Sequence, residues 1–309
     1  MRILLTGVGG PAGASLARQL RSRGHWTAGV DARRLDAPEV DAFDVVPLAS
    51  SPDGLPVLRA VALAHRVDAV IPSVSEELPG IARAVARGVF PMPVLVGAPE
   101  AVAIADDKLA TARALDAASV AVPAFASTSA FASAAEAVHA LGGPIVVKPR
   151  VSRGARDVRV VEARDAATRE TRAWWATLDD AALVQRFAPG AEFAPVVFAG
   201  DEAEPGLCVV LEKTALTHGR VGNAVGVVRR ATGSGPGADA DAGRIRAVAA
   251  LARSAVVALG LRGPADVDIR VGEDGAPVVL EVNARFGANS AHAPELLDRA
   301  LERLRAEAR

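Results

Sequence analysis

Alternating residue types in the last third of the sequence predict a β-hairpin with one apolar and one charged face. In segments 267–271 and 278–282, every second residue is Val, Ile or Leu. This period is typical of strands with one buried face. The dipeptide Asp274-Gly275 lies between the segments and favours a two-residue turn. With that turn, Ile269 is expected to pair with Leu280 on the apolar face.

The same register places two acidic side chains opposite each other on the charged face. Asp268 then faces Glu281 with Cβ atoms about 5 Å apart, and like charges at this distance repel. A cation between them would remove the repulsion. With the side-chain carbonyl of Asn283, the two carboxylates form a set of oxygen ligands suited to Mg²⁺ or Mn²⁺. The alternative is a solvated polar face on which Arg270 compensates part of the negative charge.

A short basic loop in the middle of the chain could hold polyphosphate. Lys148 ends an apolar segment that begins at Ile145, and small and basic residues follow it. Their N–H groups and charges suit phosphate oxygens. The loop lacks the spacing of a Walker phosphate loop, and a solvated turn is the alternative. Its candidate binding residues are Ser152, Arg153, Gly154 and Arg156.

A strand crossover further along the chain could bind a nucleoside. Residues 185–188 end an apolar strand, and Pro189-Gly190 then turns the chain into the next strand. Backbone groups at a crossover can pair with an adenine edge, and a nearby carboxylate can accept from ribose hydroxyls. The alternative is a plain hairpin. On the binding interpretation, the candidates are Gln185, Phe187, Ala188 and Glu192.

Composition limits the classes of protein to which the chain can belong. The 309 residues are 50% hydrophobic and carry a net charge of −1. This apolar content suits two or three domains, and the charge provides no general attraction for nucleic acid. Cys208 is the only cysteine, which excludes a disulfide framework. Because we find no signal-peptide core and no apolar run near ~18 residues, we expect a cytoplasmic protein with no membrane partner.

Lysine is scarce in this arginine-rich sequence. The chain contains only Lys108, Lys148 and Lys213. Because most basic positions are arginine, each lysine carries more information than usual.

The elements that position these residues fall into three regions. Residues 1–96 alternate strand and helix signals around the glycine-rich segment 7–13, which predicts a Rossmann-like parallel sheet covered on both faces. We expect residues 97–180 to form a small subdomain and residues 181–309 a larger, strand-rich subdomain. Individual expected elements include a helix at Ser129–Leu141, a strand at Phe193–Phe198, a glycine-rich linker at Thr232–Gly237, and helices at Ala242–Leu259 and Pro294–Ala306.

In order and spacing, these segments resemble the ATP-grasp superfamily, and most closely the carbamoyl-phosphate-synthase-like carboxylate-amine ligases. The resemblance extends from the first strand to about residue 292. It implies a multidomain α/β and α+β fold, in which a Rossmann-like pre-ATP-grasp domain precedes a two-lobed ATP-grasp fold. The matching segments are Asp107-Lys108-Leu109, Val146–Arg150, Leu183–Phe187, Pro189–Phe193, Asp266-Val267-Asp268 and Leu280–Arg285.

The resemblance also implies roles at the phosphate end of the site. Lys108 and Lys148 would hold ATP phosphates, and the loop from Ser152 to Asp157 would fold over them. Arg285 would stabilise the transferred phosphoryl group, because a fixed guanidinium can neutralise the charge that moves with it.

Further implied roles concern the metal and the nucleoside. The metal ligands would be Asp268, Glu281 and Asn283. The residues implied to surround adenine are Gln185, Phe187 and Ala188, and Glu192 is implied to bind ribose.

The resemblance is least specific on the acceptor side. Glu212 and the stretch 214–222, with His218 and Arg220, occupy the region that shapes this side in such ligases. Glu76 and Glu77 could face the amino group of an amino acid substrate, although acids are common at helix N-termini for dipole reasons.

The implied activity is an ATP- and Mg²⁺-dependent ligation of a small carboxylate to an amine through an acyl phosphate. A homodimer is a further expectation. One alternative is an NAD(P)-binding oxidoreductase or epimerase, because Gly7–Gly13 and Asp31 match the dinucleotide fingerprint. The chain has no Tyr, which excludes the Tyr-x-x-x-Lys pair of short-chain reductases, and we expect no bound NAD. A non-catalytic ATP-binding module is the other alternative, against which Arg285 argues.

Overall fold

The N-terminal part of the chain forms a parallel sheet. A computed structural model describes residues 1–152, 154, 156–200, 206–217, 219–222, 224–231 and 240–308. The strands of the first sheet are β1 (Arg2–Thr6), β2 (Trp26–Asp31), β3 (Ala42–Val45) and β4 (Ala69–Ile71). They lie in the order β3-β2-β1-β4 and are all parallel, as predicted.

The glycine-rich turn after β1 depends on close backbone approach. A Cβ atom at Gly13 would lie only 2.2 Å from the carbonyl oxygen of Gly7, so no side chain fits there. The turn leads into α1 (Pro11–Ser22), whose first-turn proline has a φ suited to a helix start. The helices α2 (Gly54–Ala64) and α3 (Leu78–Ala86) follow, the latter after a short 3-10 turn at Ser75–Glu77.

Two consecutive helices connect the first sheet to a small antiparallel sheet. They are α4 (Pro99–Asp106) and α5 (Lys108–Ala117). The second sheet has the order β5-β8-β6-β7, and α6 and α7 pack on it. Its elements are β5 (Phe125–Ser127), α6 (Ala134–Leu141), β6 (Ile145–Pro149), β7 (Arg159–Val161), α7 (Arg169–Trp175) and β8 (Ala182–Arg186).

The third sheet is larger and also antiparallel. Its elements are β9 (Ala191–Phe193), β10 (Val196–Ala199), β11 (Leu207–Leu216), β12 (Ala224–Arg230), α8 (Ala240–Ala258), β13 (Gly263–Val271) and β14 (Pro277–Asn283). Both β9 and β10 pair with β11 on one side and with β13 on the other. They are therefore successive pieces of one interrupted strand.

The last helix, α9 (Glu295–Glu307), joins the third sheet to the first. Leu297 and Leu301 of α9 lie in one core cluster with Leu5 of β1, Leu16 of α1 and Val209 of β11. On the opposite face of the third sheet, α8 packs against β13 and β14. The third sheet thus has α8 on one face, while its other face supports both α9 and the cleft described below.

Two predicted elements differ from the structure. The helix expected at Ser129–Leu141 begins only at Ala134, because the Ser133 side chain accepts from the N–H of Glu136 and caps it there. The strand expected at Phe193–Phe198 is interrupted at Pro195, which has no N–H for a ladder. The linker expected at Thr232–Gly237 lies outside the described residues. None of the described helices is long and apolar enough to span a membrane.

Candidate functional site

The predicted site residues converge on a cleft between the second and third sheets. Its volume is about 220 Å³. Strands β6 and β8 form one wall, and β13 and β14 form the other. The predicted residues that line it are Lys148, Gly154, Gln185, Phe187, Ala188, Glu192, Asp268, Glu281, Asn283 and Arg285.

The hairpin of β13 and β14 places the predicted carboxylates face to face. Asp268 is the register partner of Glu281, as predicted. The predicted pairing of Ile269 with Leu280 is wrong, because Ile269 pairs with Val279. Leu280 has no register partner and forms a β-bulge between Val279 and Glu281. The connection is also longer than the predicted two-residue turn, since β13 ends at Val271 and β14 begins at Pro277. The longer connection shifts the pairing of the two strands by one residue. The extra residue of the bulge reverses this shift, so that Asp268 regains its predicted partner.

The bulge provides an acceptor for a buried lysine. The Nζ atom of Lys148 donates to the carbonyl oxygen of Leu280 at 2.9 Å, and only 7% of the residue is exposed. Burial lowers the pKa of Lys148, although Glu281 opposes this effect. Lys148 is therefore an amine held in the middle of the cleft, between the second and third sheets.

Lys108 links the basic loop to the metal-ligand candidates. Its Nζ atom donates to the carbonyl oxygen of Ser152 at 2.6 Å and lies 3.3 Å from Oε1 of Glu281. Asp107, the N-cap of α5, accepts from its own helix and from the guanidinium of Arg150. Burial alone would raise the pKa of Asp107, but Arg150 and the helix N–H groups lower it. The start of the basic loop, at Arg150 and Ser152, is thus anchored to the start of α5.

Lys213 is a site residue that the sequence analysis did not assign. Its Nζ atom lies 2.6 Å from Oδ1 of Asp268 and 2.7 Å from Oε1 of Glu192. Burial alone would lower the pKa of Lys213, but these two carboxylates raise it. With Lys213, every lysine of the sequence lies in or beside the cleft. The scarcity of lysine was the signal that could have identified it.

The metal-ligand candidates Asp268, Glu281 and Asn283 share one face of the hairpin. Among the described residues, no group of three His, Cys, Asp or Glu side chains has a metal-binding arrangement. The candidate set differs in that its third member is an amide. Lysines contact both carboxylates, since Lys213 binds Asp268 and Lys108 lies near Glu281. Three oxygen donors at neighbouring register positions nevertheless form a set that fits Mg²⁺.

The crossover after β8 forms the nucleoside end of the cleft. Gln185 is buried, and the carbonyl oxygen of Ala188 accepts from Nη1 of Arg270 at 2.7 Å. The guanidinium groups of Arg220 and Arg270 lie 4.2 and 5.0 Å from the ring centre of Phe187. Arg270 thus lies against the crossover predicted to frame adenine.

Glu192, the candidate ribose ligand, is buried between two cations. Its Oε2 atom accepts from Nε and Nη2 of Arg270 at 2.9 and 2.7 Å, while Oε1 accepts from Lys213. Both carboxylate oxygens are therefore already bonded within the protein. A ribose hydroxyl would have to share one of them.

Arg285 extends from the end of β14 toward the N-terminal region. Its Nε atom donates to Oγ of Ser75 at 3.2 Å, and Nη2 donates to Oδ1 of Asn283 at 3.1 Å. Nη1 lies 3.6 Å from Oδ2 of Asp266. Asp266 was not predicted as a site residue, yet it lines the cleft, and burial, together with the charge of Asp268, raises its pKa to about 6.

Several predicted residues lie outside this cleft. Glu212 is on the opposite face of the third sheet, because it alternates with Lys213 along β11, and it pairs with Arg230. Ser152 and Arg156 line an adjoining cavity of about 260 Å³ that also includes Glu76. The two remaining candidates, Arg153 and His218, are outside the described residues.

Arg220 and the pair Glu76-Glu77 occupy positions at the edges of the site. The guanidinium of Arg220 pairs with Glu162, which directly follows β7. Glu76 and Glu77 line a cavity of about 290 Å³ with Asp106, and burial raises the pKa of Asp106. Acidic groups therefore concentrate where the N-terminal region approaches the basic loop.

Comparison with known proteins gives one family match. A family model described as an ATP-grasp domain matches residues 105–289. This range includes every residue named above as lining the cleft. No curated protein matches the sequence.

Several solved structures share the fold of nearly the whole chain. The L-amino acid ligase from Bacillus licheniformis is 19% identical with a TM-score of 0.68, over 94% of this chain and 69% of that one. The biotin carboxylase complex from Campylobacter jejuni is 18% identical with a TM-score of 0.71, over 99% and 70%. The D-alanine–D-alanine ligase from Bacillus anthracis is 17% identical with a TM-score of 0.66, over 100% and 97%. At these identities the likeness concerns the fold alone.

Proposed function

Because this chain belongs to the ATP-grasp family, we propose that it is an ATP- and Mg²⁺-dependent ligase that joins a small carboxylate to an amine through an acyl phosphate. The observation that carries the proposal is the cleft itself. The buried ammonium group of Lys148 on one wall, with buried Lys108 beside the cleft, faces a row of oxygen ligands on the other wall. A polyphosphate with a divalent cation is a ligand that satisfies both walls.

In this proposal, residues around the cleft would bind each part of the nucleotide. Phe187 and the crossover backbone would accommodate the base, and Lys148 and Lys108 would bind phosphate oxygens. Lysine acts as a compact charge toward phosphate. Gly154, at φ 65°, lets the basic loop turn toward the cleft, so that the loop can cover the phosphates.

Asp268, Glu281 and Asn283 would hold Mg²⁺ in this proposal. Bound there, Mg²⁺ would screen the charge of the phosphates during transfer. Binding would require Lys213 and Lys108 to give up or share their contacts with Asp268 and Glu281. Arg285 would then stabilise the charge on the transferred phosphoryl group.

The reaction consists of two displacements. An oxygen of the substrate carboxylate attacks the γ-phosphorus of ATP, the bond to the β-phosphate oxygen breaks, and ADP leaves. The amine nitrogen then attacks the carbonyl carbon of the acyl phosphate, loses a proton, and phosphate leaves. The protein would contribute mainly position and exclusion of water, because water would hydrolyse the intermediate.

An NAD-dependent activity has less support from the N-terminal region. Oδ2 of Asp31 accepts from the N–H of Gly9 at 2.9 Å. In a dinucleotide-binding site, the acid at the end of the second strand binds a ribose hydroxyl. Here that carboxylate instead closes onto the glycine turn.

The test measures ADP release in the presence of ATP and Mg²⁺. Each proteinogenic L-amino acid is supplied as the carboxylate, with hydroxylamine as the amine, and the hydroxamate product is quantified. We expect ADP and hydroxamate in equal amounts with at least one acid. Glu281→Gln should abolish both, whereas Glu273→Gln, a matched loss of charge in the exposed connection of the same hairpin, should not. ADP release that is indifferent to the acid, or binding of NAD without ATP, would overturn the proposal.

A further inference from the structure

The cleft-facing side of β13 carries three charged residues in an order that follows the length of the site. Arg270 lies at the nucleoside end, where it contacts Ala188 and Glu192. Asp268 lies opposite the metal-ligand candidate Glu281. Asp266 comes next, further from the nucleoside end. Because alternate residues of a strand are about 6.7 Å apart, Asp266 lies one such step beyond Asp268.

Asp266 occupies the place where the second substrate must enter. On the proposed function, the γ-phosphate lies beside the metal ligands, and the acid and amine lie beyond it. Asp266 is the register partner of Asn283 and lies 3.6 Å from Arg285. Arg285 in turn contacts Ser75 of the N-terminal region. This end of the cleft therefore holds one carboxylate and one guanidinium side by side.

The carboxylate of Asp266 has an unused hydrogen-bond acceptor. Its Oδ1 atom is buried and has no partner among the residues that the structure describes, and 13% of the side chain remains exposed. A buried acceptor without a donor costs free energy. Position 287 must be glycine for the carboxylate to lie here, because a Cβ atom at Gly287 would lie only 1.7 Å from Oδ2 of Asp266.

We propose that Asp266 binds the cationic ammonium group of the amine substrate, beside the acyl phosphate that Arg285 stabilises. The inference depends on the proposed function and specifies its second substrate as a primary amine that arrives protonated and releases one proton to solvent before its nitrogen attacks the acyl phosphate. A negative side chain at this position disfavours carboxylate and phosphate groups and favours an N–H donor of positive charge. The adjacent pair of Asp266 and Arg285 would thus hold the amine and the activated acid next to each other.

The test compares a cationic amine with an uncharged one. Hydroxylamine is largely neutral near neutral pH, whereas L-amino acids carry an ammonium group. Each L-amino acid is supplied as the amine, and kcat/KM is measured for the amine and for hydroxylamine with wild type and Asp266→Asn. We expect the substitution to lower kcat/KM for the amino acid at least about tenfold more than for hydroxylamine, as loss of one charge-assisted hydrogen bond predicts.

Other outcomes have distinct meanings. Equal losses with both amines would assign Asp266 to the positioning of Arg285, and an increased Mg²⁺ requirement would make it a metal ligand; either result overturns the inference. Wild type that uses hydroxylamine but no amino acid also overturns it. Wild type that forms no hydroxamate with any acid refutes the proposed function instead. Glu273→Gln, which removes an exposed charge from the same hairpin, is the matched control and should change neither kcat/KM.

Discussion

Lys213 neutralises Asp268 and, together with Arg270, Glu192. Only 7% of its side chain is exposed, and it contacts both Asp268 and Glu192. When one partner of a buried ion pair is removed, the other charge is left unpaired. The free-energy cost of this unpaired charge exceeds the stabilisation that the intact pair provides. Lys213 is consequently both a structural cation and a competitor of any metal ion at Asp268.

Lys213→Met tests both roles. We expect it to lower the free energy of unfolding by at least about 2 kcal/mol, measured by urea denaturation without ligands. Because Asp268 is then unpaired, Mg²⁺ should raise the Tm of Lys213→Met more than that of wild type. Arg164→Met, which removes an exposed cation next to Asp165, is the control and should change stability by less than about 1 kcal/mol. Equal Mg²⁺ effects in all three proteins would contradict the competition.

The residues that sequence reasoning identified are those with local signals. Asp268 and Glu281 could be placed on one face because the strand period is local, although their pairing was predicted with a wrong turn length that the bulge offsets. Lys148 could be identified because it ends an apolar strand. Lys213 and Asp266 could not be assigned in this way, since their partners come from distant segments such as Glu192 and Arg285. Glu212 was chosen instead of its neighbour Lys213, and alternation along β11 places it on the wrong face.

At the scale of elements, the start of α5 connects the helix to the basic loop. Asp107 caps α5 and accepts from Arg150, and the N–H of Lys108 donates to the carbonyl oxygen of Arg150 at 2.9 Å. Helix start, lysine and loop are therefore one unit. A substitution at Asp107 should therefore shift the positions of Lys108 and of the basic loop, which are phosphate-binding candidates.

Two substitutions separate the cap of α5 from its ion pair. Asp107→Ala removes both and should lower the free energy of unfolding by about 1 to 2 kcal/mol, whereas Asp107→Asn keeps an acceptor and should cost less. Because the pKa of Asp107 is lowered in the folded state, its contribution is present above the unfolded-state pKa and is lost as pH falls through the folded-state pKa. Urea midpoints should accordingly fall less steeply in acid for Asp107→Asn than for wild type. Parallel acid profiles would contradict this assignment.

The hairpin of β13 and β14 illustrates the limit of element prediction. The Asp274-Gly275 signal indicates where the chain reverses, and Gly275 does adopt φ 75°. The reversal is nevertheless longer than two residues, and the bulge at Leu280 is a response to it. The carbonyl group of this bulge accepts a hydrogen bond from Lys148, a residue more than a hundred positions earlier. The residues next to Leu280 therefore give no sign of the bulge.

At the scale of the whole molecule, one side chain of the third-sheet region bridges the cleft to the second-sheet region. Arg220, between β11 and β12, pairs with Glu162 after β7 and lies over Phe187. This bridge crosses the nucleoside end of the cleft. On the proposed function, it would lie between a bound base and the solvent.

Glu162→Gln should shorten the residence of ADP in the cleft. An exposed bridge of this kind contributes about 0.2 to 1 kcal/mol, so we expect dissociation of a fluorescent ADP analogue to become up to about fivefold faster in stopped-flow displacement. Glu170→Gln breaks an exposed pair with Arg159 within the second-sheet region and should leave the rate unchanged. The same acceleration in both variants would contradict a specific effect of the Arg220–Glu162 bridge on ADP dissociation.

The order of the sheets could be predicted from the sequence more fully than their packing. The parallel N-terminal sheet follows from its alternating signals, and the two antiparallel sheets agree with the resemblance. That α9 packs against Leu5 and Leu16 of the first sheet could not be predicted, because an amphipathic helix pattern specifies a buried face and not its partner.

The location of every lysine in or beside the cleft has a practical consequence for chemical modification. Reagents that acylate primary amines normally modify lysine side chains at many points on a protein surface, but the three lysine side chains of this sequence are all largely buried. The neutral form of Lys148 is more abundant than in an ordinary lysine, because burial lowers its pKa. On the proposed function, coupling at these lysines would block nucleotide binding, so attachment to a biosensor surface or a fluorophore would need a different chemistry, directed at arginine or at Cys208.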